Sequence, residues 1–316
     1  MCAVFGYLDY KGKVNNVILK KLIRNLSIAA EVRGTDATGI SYVNHEKVVT
    51  FKKAKPAHKV KLFFPRNTKC VIGHTRMTTQ GSEKYNYNNH PFDGRCGTET
   101  FSIAHNGVLY NDAELKAKYH LPKTQIETDS YVAVQLLEQE KQLHAESIKR
   151  MAESVEGSFV FTILRNDNTL FLVKGNNPLT IYHFPKIGIY VYASTKSILG
   201  NALQQVNLSD KCCEIDVSEG EIVEIAANGK RSKTTFAMQD SVFSPYNWDN
   251  LNWYETEEQE ECLLECCRMF GVSEEDVYLL LDYGFSADEI EEMLMNTNLL
   301  EDALAEISVL EQEDAE

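Results

Sequence analysis

The chain opens on an apolar run, CAVFGYLD at residues 2–9, which predicts a strand, and then changes to a 3.6-residue repeat that predicts a helix over 17–32. Further strand-like runs fall at 39–43, 70–75, 101–104, 158–164, 169–173 and 187–193, and helical repeats at 128–137, 145–154 and 196–204. Many strands with a few helices between them predict a sheet-rich α+β domain with helices on its faces. Near residue 239 the pattern breaks into QDSVFSPYNWDNLNW, which reads as a linker. Beyond it every signal is helical. A first helix is expected at 258–270; Ser273 precedes three carboxylates, Gly284 can close the helix they start, and Ser286 with Glu289 and Asn298 with Glu301 have capping-box spacing. The expected organisation is a domain at 1–238, a linker at 239–256 and a helical module at 257–316.

Charge sharpens that division. The whole chain of 316 residues carries −14, but from Tyr254 onward there are 21 acidic residues against one basic, Arg268, a balance of −20. Upstream the balance is +6, so two modules are expected rather than one uniformly acidic protein. A segment at −20 repels nucleic acid, and no DNA or RNA partner is expected there. No apolar run approaches the length of a membrane span and no signal peptide is evident, so a cytoplasmic protein is expected. The eight irregularly spaced cysteines fit a reduced compartment better than a disulfide framework. Cys262, Cys266 and Cys267 share one expected helix with no nearby histidine, and no metal is assigned to them.

The candidate chemistry begins at Cys2. Removal of Met1 leaves a free α-amine on the residue that carries the thiol; with ordinary pKa values of about 7.7–8.0 and 8.5, the two form a matched base and nucleophile. Taken alone, a cysteine before an apolar strand reads as core. Polar segments in a fixed order change that reading: RGTDATGI from Arg33, GHTRMTTQG from Gly73, NHPF from Asn89, AHNG from Ala104 and TDS from Thr128.

These segments, behind a cysteine at position 2, resemble the class II glutamine amidotransferases. The resemblance is to the glutaminase halves of glucosamine-6-phosphate synthase, amidophosphoribosyltransferase and asparagine synthetase, and spans about residues 2–230. It implies a four-layer αββα sandwich of the N-terminal nucleophile hydrolases and L-glutamine as substrate. It further implies Cys2 as a nucleophile passing through a γ-glutamyl thioester, and Asn106 with Gly107 as an oxyanion hole. Arg76 matches the clamp for the α-carboxylate, Asp129 the acceptor of the α-ammonium, Thr79 and His90 further substrate contacts, and Arg33 with Gly34 the pair beside the nucleophile. Met77, Gln80 and Ala3 depart from the family's usual residues, which puts the loop expected to close over glutamine, within 77–87, in a different form here.

About 80 residues follow the glutaminase-like part, and neither GxxxxGK[ST] nor GxGxxG occurs, so no cofactor is expected and the ammonia acceptor is expected on another polypeptide. Residues 280–307 resemble a ubiquitin-associated three-helix module, which implies a protein partner at Tyr283, Gly284 and Phe285; a plain helical cap fits the same stripes. Two other functions stay open: a non-catalytic partner-binding scaffold, and an N-terminal nucleophile amidohydrolase acting on another γ-glutamyl amide. The Arg76 and Asp129 pair favours free glutamine.

Overall fold

The computed structural model describes residues 2–206, 208, 211–238 and, beyond them, 264, 267–268, 272–283, 285, 290, 293–294, 299–300, 303–305 and 307. Met1, the 239–256 linker, Cys262, Cys266, Gly284 and most residues of the two expected capping boxes lie outside the described residues. The chain divides into two compact units, Met1–Ser241 and Val242–Glu316.

Among the described residues of the first unit, thirteen strands form two wholly antiparallel sheets. The first runs in the order β11 (Cys213–Ile215), β9 (Thr180–Phe184), β10 (Ile189–Ala193), β1 (Ala3–Asp9), β4 (Cys70–Arg76), β2 (Ala37–Asn44) and β3 (Lys47–Lys53). The second runs β13 (Arg231–Thr235), β12 (Glu221–Ile225), β8 (Leu170–Lys174), β7 (Gly157–Arg165), β6 (Glu99–Leu109) and β5 (Phe92–Cys96).

Every residue of β1 is buried, because both faces of the strand are covered. On one face Phe5 and Tyr7 pack with Leu22, Ile23 and Leu26 of α1 (Asn16–Ala29) and Leu199 of α5 (Lys196–Gln204). On the other, Leu8 meets Ile72, Leu164, Leu172 and Val223, the last three from the second sheet, while Val4 meets Ala104 and Val160. The far face of the second sheet is covered by α3 (Tyr131–Glu138) and α4 (Ala145–Ser154), whose Val132, Ile148 and Met151 pack on Phe101, Ile103 and Phe161. Helix α2 (Asp112–Lys118) follows β6. The layers are thus helices, sheet, sheet, helices. Period-two alternation decides what faces what: in β1, β4 and β6 the even-numbered side chains point between the sheets.

Helix α1 starts where the Asn15 side chain accepts from the Val17 amide at 2.8 Å, a local cap that competes well with water. It ends in a tighter 3-10 turn at Ala30–Arg33, which delivers Arg33 and Gly34 to the end of β4.

In the second unit, α6 (Glu274–Asp282) is capped by Ser273, which accepts from the Asp276 amide at 3.2 Å. Leu264, Cys267, Val277, Leu280, Ile290, Leu294, Leu300 and Ile307 are buried together as a core of their own, with Phe285 packed against it and Tyr283 40% exposed.

Candidate active site

The site is built from strand ends. Ala3 pairs with Thr75, so Cys2, one residue before β1, lies alongside Arg76 at the end of β4, and its Sγ donates to the Met77 carbonyl at 3.4 Å. Arg33 Nε donates to the Cys2 carbonyl at 3.2 Å, which holds the Cys2 backbone from behind. A side chain at Gly34 would put its Cβ 2.4 Å from the Arg76 carbonyl carbon, so only glycine lets these segments meet. Asp36 completes the turn: its amide donates to the Arg76 carbonyl at 2.9 Å and its carboxylate accepts from the Thr78 amide at 2.7 Å.

The second sheet supplies the opposite wall. Val4 pairs with His74 and packs on Ala104, and His74 Nε2 donates to the His105 carbonyl at 2.9 Å. The next residue is Asn106, 1% exposed, whose side-chain Nδ2 is buried with no acceptor among the described residues. Its backbone carbonyl accepts from Asn177 Nδ2 at 2.9 Å. Gly107 has φ of 141°, and a Cβ there would lie 1.9 Å from the Ser158 carbonyl oxygen, so the position excludes every side chain. Asp129 accepts from the Leu109 amide at 2.6 Å, and Ser130 Oγ, 2.7 Å from His105 Nδ1, donates to its other oxygen at 3.3 Å.

Electrostatics tie these groups together. Burial pushes the Cys2 thiol up; the Met77 carbonyl contact and Arg76 pull it down, and Asp129 pushes it further up. Burial lowers Arg76, while Cys2, Asp36, Glu83 and Asp129 hold it up. A raised thiol needs a base to become a nucleophile. The Arg76 guanidinium donates from Nη1 to Asn89 Oδ1 at 2.6 Å and from Nη2 to the carbonyls of Gln80 and Gly81 at 2.5 and 3.0 Å.

The structure therefore brings Cys2, Arg33, Gly34, Arg76 and Asp129 together, with Asn106 and Gly107 on the facing strand. Thr79 stands on an exposed loop. His90 lies behind the site: it is 4% exposed, its ring packs on His74 at 4.3 Å and Phe92 at 4.4 Å, and neither nitrogen has a partner among the described residues. Burial, then His74 and His105, push it well below the usual histidine range. Sequence reading passed over Asp36, Asn89 and Asn177. The first two sit inside the polar segments it singled out, whereas Asn177 carries no sequence signal.

Residues 74–200 match the family described as the glutamine amidotransferase domain. The matched stretch lies within the first unit, which is therefore similar over that stretch to glutamine amidotransferase domains. Among curated proteins the chain is 31% identical, over 190 residues, to the isomerizing glutamine–fructose-6-phosphate aminotransferase of Bacillus subtilis, covering 57% of this chain and 30% of that one. It is 28% identical over 251 residues to 7-cyano-7-deazaguanine synthase 2 of Sulfurisphaera tokodaii, covering 75% of this chain and 53% of that one. Among solved structures, glutamine phosphoribosylpyrophosphate amidotransferase from B. subtilis superposes with a TM-score of 0.58 at 21% identity, over 75% of this chain and 50% of that one, a likeness of fold. The chain spans under a third of the length of the first relative and about half of the second. Among the described residues no helix is long and apolar enough to cross a membrane.

Proposed function

We propose that the chain hydrolyses the side-chain amide of L-glutamine at Cys2 and passes the ammonia to an acceptor enzyme on another polypeptide. One observation carries the reading: a buried Asn106 Nδ2 with no acceptor among the described residues, on the strand facing a thiol that feels both the cation Arg76 and the anion Asp129. Free glutamine carries the complementary pair of charges on its α-carbon, plus an amide carbonyl that becomes an oxyanion when attacked.

On removal of Met1 the α-amine of Cys2 takes the thiol proton, and sulfur attacks the amide carbon. The developing oxyanion accepts from Asn106 Nδ2 and the Gly107 amide, donors held in place before the charge appears. As the C–N bond breaks, the proton held by the amine passes to the leaving nitrogen and ammonia departs, leaving a γ-glutamyl thioester. Water, deprotonated by the same amine, adds to the thioester; the carbonyl reforms as the C–S bond breaks, giving glutamate and restoring the thiol. Arg76 and Asp129 hold the α-carboxylate and α-ammonium meanwhile, and Arg33 keeps the Cys2 backbone from shifting. Thr79 contributes from the loop that covers the substrate, and His90 acts from beneath, by packing.

Transfer of nitrogen from glutamine to an acceptor accords with the name of one relative, a glutamine–fructose-6-phosphate aminotransferase, and placing that acceptor on another polypeptide is part of the proposal. The acidic helical module, whose sequence at Tyr283, Gly284 and Phe285 resembles the turn of a ubiquitin-associated module, is the part proposed to engage a protein partner. The site reading is tested with a glutamine-shaped diazoketone, 6-diazo-5-oxo-L-norleucine: intact mass and peptide mapping find one adduct, on Cys2 of a chain that lacks Met1, and excess glutamine suppresses it. Labelling spread over other cysteines, or indifferent to glutamine, overturns it.

A further inference from the structure

The segment 88–91, between the loop and β5, meets the Arg76 guanidinium through Asn89. Asn89 is fully buried, and its side chain works in two directions: Oδ1 accepts from Arg76 Nη1 at 2.6 Å while Nδ2 donates to the Glu83 carbonyl at 2.7 Å. One amide group thus fixes both the guanidinium and the loop above it. What fixes the asparagine comes from elsewhere in the chain. Lys52, on the edge strand β3, sends its ammonium inward, donating to the Asn89 carbonyl at 2.6 Å and to the Pro91 carbonyl at 3.0 Å, with the Phe92 ring 4.8 Å away. The approach is close because Gly39, paired with Lys52 across β2 and β3, has no side chain; a Cβ there would lie 2.2 Å from the His90 carbonyl oxygen.

We infer that Lys52 is a positioning residue for recognition of the substrate's α-carboxylate, aiming the Arg76 guanidinium through Asn89. The inference rests on the glutaminase reading above and adds to it a residue that touches no substrate. A charged donor bonded to two carbonyls on either side of His90 removes the freedom of exactly those backbone units that carry the Asn89 side chain. A bidentate contact between guanidinium and carboxylate is sensitive to such freedom, since its two parallel bonds need a fixed plane. Burial lowers the Lys52 ammonium to about 8, with Asp93 holding it up and Arg76 pushing it down, which accords with a cation lodged close to the clamp it supports.

The relay predicts a defect in binding rather than in chemistry. In the full-length protein, Lys52→Met and Asn89→Ala each raise KM for glutamine about tenfold, the scale of one lost hydrogen bond to a charged group, while kcat stays within about threefold. The concentration of L-glutamate that protects Cys2 from iodoacetamide rises by the same factor, and the unprotected alkylation rate does not change. Protection is a ratio on the same molecules, so it does not depend on how much of a variant is folded. Lys52→Arg, which keeps a cationic donor, restores both values to within about threefold of wild type. Variants whose KM and protection constants match wild type overturn the inference, as does a fall in kcat at constant KM. A wild-type chain inert towards glutamine instead overturns the glutaminase reading, and the two failures are distinct.

Discussion

A buried amide nitrogen with no acceptor costs a fold about 1–3 kcal/mol, and Asn106 keeps between the sheets a nitrogen that has none among the described residues. On the proposed reading, that cost is recovered when an oxyanion forms in front of it. Asn106→Ala is therefore expected to lower kcat for glutamine by about 10²–10³-fold with little change in KM, checked by steady-state kinetics. An equal fall in a Cys2-independent property such as thermal stability would point to a structural asparagine. At this scale, what the sequence offers is residue type and order: Cys2, Arg76, Asn106 and Asp129 are each unremarkable alone, and the structure places Cys2, Arg76 and Asp129 near one another with Asn106 on the facing strand, the arrangement on which the proposed roles rest. Asn89 and Lys52 were not legible, because their roles depend on which carbonyls the folded loop presents. His90 shows the opposite limit: a histidine in a polar segment reads as a contact, and the structure buries it between His74 and Phe92.

Among the elements, the central ones were readable and the edges were not. The run at 2–9, the helices at 145–154 and 196–204 and the strand at 70–75 appear within a residue or so of where periodicity puts them, because both faces of each strand or one face of each helix are apolar. Strands β3, β5, β9, β11, β12 and β13 and helix α2 were not anticipated; β3 (KVVTFKK) and β13 (RSKTT) are half-exposed or polar edge strands whose pairing, not composition, makes them strands. The strand expected at 101–104 runs on to Leu109. Its extension through AHNG was hidden because polar residues stand there on both faces: His105 stacks on Phe161 at 4.6 Å and Asn106 faces the other sheet. The same covering of both faces makes β1 costly to hollow out. Phe5→Ala should destabilise the domain by about 3–5 kcal/mol in urea unfolding, since Phe5 is fully buried under α1. A loss below about 1 kcal/mol would mean that the helix layer does not lean on this strand.

The molecule as a whole carries an acid-sensitive centre. Three buried histidines, His74, His90 and His105, lie between or on the two sheets. Burial is the first cause of lowering in each, and takes His74 to about 3. In the unfolded chain imidazoles titrate near 6.5, so between that value and the folded ones the unfolded state binds more protons and stability rises with pH. The domain should lose stability as pH falls from about 6.5 towards 3, by up to about 1.4 kcal/mol per unit for each histidine. Urea midpoints at pH 7, 6 and 5 should fall in that order; a midpoint constant across them would place charged histidines, with partners, in the folded state. The charge contrast between a +6 upstream part and a −20 tail was legible from composition, whereas the separate apolar core around Leu280 required the fold.

The central claim is that Cys2 makes this chain a glutaminase, and ammonia release from L-glutamine tests it most directly. Purified wild-type chain, with Met1 shown absent by intact mass, should release ammonia and glutamate in equal amounts, and Cys2→Ala should release neither while keeping the wild-type melting profile. Equal release by both proteins, or none from a correctly processed wild type, would contradict the account.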